Sequence, residues 1–389
     1  MGSIFKPNMK QYDYIFTGAG LSALMTVYKM VQSGQFKDKT ILLLDENAKK
    51  TNDRTWCFWS KKEEIWNNII SKTWDSALFA NQDFQRNLDL IPYQYHMVKG
   101  LDFYTQVFDV ISKEENINFL NQKVTDIEES ETIIMVQTET ESFSCHKLFN
   151  SIYNAIKAEN QTKYPVLQQH FIGWFIKSEE AIFNPEQATF MDFSVEQKGN
   201  TRFMYVLPTS KTEALLEYTL FSHTLLTKEE YETEIKNYIQ KLGITNYEII
   251  EKEQGSIPMT CYPFWKNNTK SVLNIGTSGG WTKASTGYTF KNSDKKSSEL
   301  VDFLQRETDF TQFHKKTKFW FYDLLFLGVL DRNNELGTAI FTSLFKAGNP
   351  SLIFKFLDED TSFREDLQVI LKCPKLPFIK AVFRQIFLK

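Results

Sequence analysis

A chain that runs Tyr14-Ile15-Phe16 directly into Gly18-Ala19-Gly20-Leu21-Ser22-Ala23 has few folds open to it. The pattern fits G-x-G-x-x-A set between a buried strand and a helix, and the helix shows as apolar residues at Leu24, Val27, Tyr28 and Val31. Gly34 closes that helix. The next strand, Ile41 to Leu44, is a continuous apolar run of the kind a sheet covered on both faces requires, and it ends on Asp45. Each part has a mechanical task. Gly18 permits the tight turn, Gly20 lets the backbone approach a pyrophosphate, and Ala23 keeps the helix close to the sheet. Ala19 and Leu21 complete a loop whose helix N-terminus attracts phosphate. Asp45 is placed to take ribose hydroxyls. A dinucleotide site in an α/β, Rossmann-like domain follows.

At 389 residues the chain is long enough for two or three domains in series or interleaved. A formal net charge of -3 supplies no general field for nucleic acid, which excludes that class of partner. Cys57, Cys145, Cys261 and Cys373 form no C-x-x-C, and the histidines form no H-x-x-x-H, so neither a disulfide framework nor a metal site is expected. The first ten residues lack a signal-peptide core, and no apolar run is long enough to span a membrane. Aromatic residues are abundant, with 34 Phe, 16 Tyr and 8 Trp. They suit either a Phe-rich core or a large apolar cavity whose ring faces stabilise a cation.

After the second strand comes Asn52-Asp53-Arg54-Thr55-Trp56-Cys57-Phe58-Trp59. Here Arg54 could face phosphate and Trp56 could stack, or the stretch is a solvated loop with a Trp anchor. The segment from Glu63 to Asn87 is uninformative. Tyr93 to Val98 alternates as a strand, and Asp102 is expected to cap a helix through Ser112. Strands are expected at 118–127, 132–138 and 145–152, returning to the nucleotide domain. From Gln168 to Phe221 an antiparallel sheet is predicted, covered by an amphipathic helix from Thr227 to Leu242. In its last strand Leu215, Glu217, Thr219 and Phe221 share one face. Glu217 is then either a solvent-facing carboxylate or an acid among apolar neighbours. A second strand and glycine loop, Val272 to Gly280 with Gly276 and Gly279, precedes Thr286-Gly287, and two separated loops favour FAD over NAD. Phe319 to Leu330 reads as a buried helix. The tail, residues 372–389, carries Lys372, Lys375, Lys380, Arg384 and Lys389 with apolar residues at helical spacing, which suits either an anionic bilayer or docking on the body.

These pieces together resemble the FAD-dependent lycopene cyclases, of the bacterial β-cyclase type. The similarity rests on the Gly18 loop, Asn52 to Trp59, Tyr95-His-Met with Gly100, Met191-Asp192, Leu215-Leu-Glu-Tyr-Thr219, Gly255-Ser-Ile-Pro258, and Gly276 to Lys283 with Thr286-Gly-Tyr288. The family's acidic strand motif has a second acid where this chain has Tyr218. The resemblance implies an FAD-binding domain of the glutathione-reductase and hydroxybenzoate-hydroxylase layout. Its segments would be 1–85, 86–165 and 255–310, with an inserted substrate sheet at 166–254 and a helical region at 311–389. It implies cyclisation of lycopene or another linear carotene without net oxidation, on reduced FAD primed by a reductant such as NADPH. It also implies peripheral attachment to the lipid surface on the cytoplasmic side of the cell membrane. Glu217 is the implied general acid and Asp192 the next candidate; the oligomeric state stays open. The competing reading is a monooxygenase or dehydrogenase of the same layout acting on an apolar substrate.

Overall fold

The computed structural model describes residues 9–61 and 65–387. The expectations placed on residues 1–8, on Glu63 and on the last two residues of the tail lie outside them. A seven-stranded sheet is laid down around Lys10–Thr17, which pairs in parallel with Ile41–Asp45 on one side and Ser142–Asn150 on the other. Ile117–Asn121 and Val272–Asn274 extend the parallel part, while Ile134–Thr138 and Val124–Glu129 add an antiparallel edge. Ile15, Phe16, Ile41, Leu42, Leu43 and Leu44 are wholly buried, as a sheet covered on both faces demands.

The helix Leu21–Ser33 starts at Gly20 and ends on left-handed Gly34. It packs closely on Phe290–Leu304 through small hydroxyl residues: Ser22 Oγ meets Ser293 Oγ at 2.7 Å and Thr26 Oγ1 meets Ser297 Oγ at 3.0 Å. The last and first segments of the nucleotide domain are thereby tied together. Gly100–Ile111 is the third helix on this side; its N-cap is Lys99, and Asp102 lies inside the first turn instead of capping it. There the carboxylate still faces the positive end of the helix dipole.

The second sheet also has seven strands, in the order Tyr247–Thr260, Val166–Ser178, Glu213–Ser222, Thr201–Pro208, Gln187–Asp192, Ser76–Ala80, Gln85–Asp89. Its pairs are antiparallel except Gln187–Asp192 with Ser76–Ala80. Two boundaries drawn from the sequence therefore move. Residues 76–89 join this sheet and leave the nucleotide segments, and a division at 254/255 would cut the Tyr247–Thr260 strand. That strand alternates half-buried and exposed positions along most of its length, so it carries no apolar run to announce it. The helix Lys228–Lys241 covers the outer face, entered through a capping box at Thr227 and Glu230. A three-stranded sheet, Thr55–Ser60, Gln94–Lys99 and Ile70–Trp74, bridges the two large ones.

The helical region closes the inner face of the second sheet. Lys318–Arg332 is largely buried, as its apolar run predicts, and Gly337–Ala347 and Pro350–Leu357 pack over the same core. Phe363–Ile370 and Lys375–Phe387 lie outermost.

Candidate active site

Where the glycine loops meet the inner face of the second sheet there is a cavity of about 520 Å³. One end is framed by Gly20, Leu21, Ser22, Gly276, Thr286 and Gly287; the other by Glu217, Glu253 and a wall of aromatic rings. The helices Gly337–Ala347 and Pro350–Leu357 close it with Phe341, Phe345 and Ile353.

At the first end, Gly18 takes φ +86°, and a Cβ there would stand 2.3 Å from Ser151 Oγ. Gly20 has nothing within 4 Å of an added Cβ, so its backbone faces open space. Gly276 and Gly287 also have positive φ and line the cavity. Gly279 serves the turn, since a Cβ would lie 2.2 Å from Asn274 O, and Gly280 closes the turn in the left-handed region. Ala23 is fully buried in the helix contact. Asp45 Oδ2 accepts from the Ala19 amide at 2.7 Å and pairs with Lys49 at 3.2 Å, which holds the carboxylate beside the loop. Arg54 reaches the cavity with a largely exposed side chain beside Asp53. Trp56 is edge-on to Phe103 at 5.4 Å, so its ring is held by protein while part of it faces the cavity. Three buried polar atoms on these walls, Tyr153 OH, Gln169 Oε1 and Thr286 Oγ1, have no hydrogen-bond partner among the described residues. Buried polar atoms are almost always paired, so such a group is fitted for a polar ligand. The open backbone at Gly20, the left-handed glycines and these atoms suit the pyrophosphate and ring edges of a dinucleotide.

At the second end, alternation along Glu213–Ser222 sends Leu215, Glu217, Thr219 and Phe221 to the cavity. Leu216, Tyr218 and Leu220 go to the opposite core under the Lys228–Lys241 helix. Tyr218 OH accepts from Arg202 Nη1 at 3.1 Å there. The second acidic place of the motif thus faces an arginine, away from the cavity. Glu217 is 8% exposed, and Thr219 donates to its Oε1 at 2.6 Å. Burial first and the neighbouring Glu253 second push its proton affinity well above the carboxylate range; Thr219 opposes this.

Asp192 lies elsewhere. The strand is irregular between Thr189 and Asp192, and Met191 takes the cavity side. Asp192 Oδ2 instead accepts from Tyr238 OH at 2.7 Å and Oδ1 from the Ser194 amide at 2.8 Å. It is a fully engaged acid that ties a helix to the sheet.

Further residues complete the site, and of these Glu251, Glu253 and Tyr205 were not singled out from the sequence. Glu253 is half-buried beside Glu217, its proton affinity also raised by desolvation, and Thr55 donates to its Oε2 at 2.7 Å. Asn52 donates to Glu251 at 2.7 Å. The polar motif after the second strand therefore grips the acids of Tyr247–Thr260, a role that only the tertiary fold reveals. Tyr95 bridges Tyr205 and Tyr288 by hydroxyl hydrogen bonds, the latter at 3.1 Å. Cys57 stands against this cluster, and burial pushes its thiol up to about 12. Among the described residues no cluster of His, Cys, Asp and Glu could hold a metal ion, and no helix is long and apolar enough to cross a membrane.

Comparison with known proteins agrees with this architecture. Lycopene β-cyclase of Pantoea ananas is 29% identical over 127 residues, covering 31% of this chain and 32% of that protein. The enzyme of the same name from Paracoccus sp. is 28% identical over 125 residues, again spanning about a third of each chain, 31% and 32%. A flavoprotein/dehydrogenase from Cytophaga hutchinsonii superposes with TM-score 0.58 at 12% identity, over 97% of this chain and 100% of that one. A geranylgeranyl bacteriochlorophyll reductase-like protein from Thermoplasma acidophilum gives 0.57 at 9% identity, with 98% of both chains covered. The halogenase PltM in complex with phloroglucinol and FAD gives 0.56 at 11%, over 96% and 90%. The fold is shared with a flavoprotein and with a halogenase solved with FAD. The sequence profile of the lycopene cyclase proteins matches residues 13–383, nearly the whole length, and the chain belongs to that family.

Proposed function

We propose that the protein is a lycopene β-cyclase, closing the linear end groups of lycopene to β-rings by acid-initiated cation chemistry in carotenoid biosynthesis. The observation that carries this is Glu217: a buried carboxyl whose proton affinity burial raises, in an aromatic cavity that opens at its other end onto two glycine loops. Glu217 protonates the terminal double bond of an end group. The neighbouring alkene attacks the tertiary cation, and a ring proton leaves, so one proton enters and one departs with no change in oxidation state. An acid kept neutral at working pH by its apolar surroundings is suited to the first step. Phe203, Phe221 and Tyr205 line the wall around it, and their ring faces stabilise positive charge while the apolar lining excludes water that would trap the cation.

Gly18, Ala19, Gly20 and Leu21, with Asp45, Arg54, Trp56, Gly276, Thr286 and Gly287, would hold FAD, Gly279 and Gly280 shaping the second turn. Bound in reduced form and primed by NADPH, it would supply an electron-rich ring system beside the developing cation. No reductant is then consumed in proportion to product. Protein purified with its flavin and releasing only FMN, or none, would remove the cofactor from this reading.

The substrate is insoluble in water, and the outermost helices offer a way to reach it. Leu376, Ile379, Phe383, Ile386 and Phe387 are each more than half exposed on Lys375–Phe387, interleaved with Lys375, Lys380 and Arg384. A basic, apolar helix face of this kind lies in an anionic membrane surface. The decisive experiment is expression in a lycopene-accumulating host with chromatography of the pigments. Cyclic carotenes are expected, and unchanged lycopene in cells holding soluble, flavin-loaded protein would sink the proposal.

A further inference from the structure

Three neighbouring strands of the second sheet bring Glu253, Gly173 and Glu217 into one row, for Gly173 pairs with Glu217 on one side and with Glu253 on the other. The two acids flank a position that has no side chain. A Cβ at Gly173 would stand 3.2 Å from Glu253 Cγ and 2.8 Å from Leu215 Cδ1, so any larger residue would wedge the row apart. Without it nothing stands between the two acid side chains, whose stems flank the same empty position: an added Cβ would lie 3.5 Å from Glu217 Cβ and 3.2 Å from Glu253 Cγ. Ionised carboxylates only accept hydrogen bonds, so two of them can share one only when a proton sits between them.

The surroundings hold the pair in place. Thr219 anchors Glu217, while Thr55 anchors Glu253. The charged groups that bear on Glu253 are Glu251 of its own strand and Lys99 of the bridging sheet. Cys57 and Tyr288 are the other titratable groups close to Glu217, Tyr205 is its register partner, and burial holds all three in their neutral forms.

We propose that Glu253 is the second half of the proton donor, sharing a single proton with Glu217 across the gap at Gly173 and thereby keeping that proton in place until substrate arrives. This rests on the cyclase reading. It makes Glu253 a positioning residue for Glu217, and it locates the acid that Tyr218 does not provide: on the next strand but one, within the cavity, where the motif's own second place faces Arg202. Once Glu217 has given up the proton, the pair carries two like charges in a low-dielectric site. That repulsion favours prompt return of a proton and leaves the donor reset.

The test is an infrared titration of the full-length, flavin-loaded protein, following the carbonyl stretch of a protonated carboxyl from acid to alkaline pH, in parallel with the pH profile of lycopene conversion. The wild type should keep this band at neutral pH, and Glu217→Gln should abolish it. In Glu253→Gln the neighbouring charge is gone and the amide can donate to Glu217, so the band should vanish, and the alkaline limb of activity fall, at lower pH, by at least about tenfold in proton affinity. Glu253→Asp should lie between. Gly173→Ala, which parts the two acids without removing either, should move the midpoint in the same direction and stands in if Glu253→Gln does not fold. A role confined to stability would lower yield or amplitude and leave the midpoints alone, and unmoved midpoints in folded Glu253→Gln or Gly173→Ala overturn the proposal. Because the infrared titration needs no turnover, a protein that converts no lycopene yet shows the shifts would sink the cyclase reading and leave the shared proton standing.

Discussion

Two acid clusters among the described residues are built in opposite ways. In one, Lys283 Nζ lies 3.1 Å from Asp323 and 3.0 Å from Glu359, with its side chain 2% exposed. Burial works against the ammonium charge, yet the two acids hold its proton affinity above the usual lysine range. This cluster fastens the loop after the second glycine turn to the Lys318–Arg332 helix and to the chain beyond Pro350–Leu357. In the other, Glu217 and Glu253 meet in the cavity with Lys99 acting only on Glu253 and only as the smallest influence. A buried carboxylate with a cation is a strut. Glu217 and Glu253, denied one, have their proton affinities raised instead. Between these two clusters the difference is the lysine, and on the proposed reading it separates a structural pair of acids from a chemical one.

The contrast predicts a ranking. Glu217→Gln should have the largest effect, lowering conversion by roughly 10²- to 10⁴-fold, the usual worth of general acid catalysis, while leaving the unfolding midpoint no lower than in the wild type. Near wild-type conversion would end the contrast at its chemical side. Lys283→Met should do the reverse and cost about 3–5 kcal/mol of stability, because it strands Asp323 without its cation, and chemical denaturation reads it directly. An unchanged midpoint would show that this cluster is no strut.

The smallest effect is a pH dependence of stability. The folded-state proton affinities of Glu217 and Glu253 are raised above those of the unfolded chain, so their stabilising contribution is complete below the ordinary carboxylate range and is lost as pH rises toward and through neutrality. Unfolding free energy should therefore fall with rising pH in that window. The double variant Glu217→Gln with Glu253→Gln should lose that part of the slope, and an identical slope in both proteins would contradict the assignment.

The local features of the fold were legible in the sequence because their causes are local. Gly18 to Ala23, the strand from Ile41 that ends on Asp45, the alternation around Glu217 and the amphipathic helix from Thr227 each announce themselves within a short stretch. What could not be read depends on neighbours far along the chain. Glu253 lies on a strand whose alternating acids look like a solvated edge, and its meaning comes from Gly173, which in isolation is only a weak point in an apolar run. The Asn52 to Trp59 motif was readable as unusual, yet its Asn52 and Thr55 contacts run to Glu251 and Glu253. Asp192 follows a cavity residue in a strand whose pairing shifts, so the family-like Met191-Asp192 pair pointed to the right place and to the wrong side chain. Within residues 70–89, Ile70–Trp74 and Ser76–Ala80 pair with strands outside that stretch, Gln94–Lys99 and Gln187–Asp192.

Under the proposed function the cavity of about 520 Å³ houses both the reactive part of a cofactor and an end group. On the proposed reading little room is left for the rest of a long polyene, which then trails outside among lipid tails. On that reading the protein recognises a terminus and is blind to the length behind it. The two ends of one carotene become two independent clients, each presented, closed and withdrawn in turn, and a half-closed product is a free intermediate able to leave. A shortened polyene bearing the same end group should be closed as readily as the full-length one, and its rejection would show that the body of the chain is read as well.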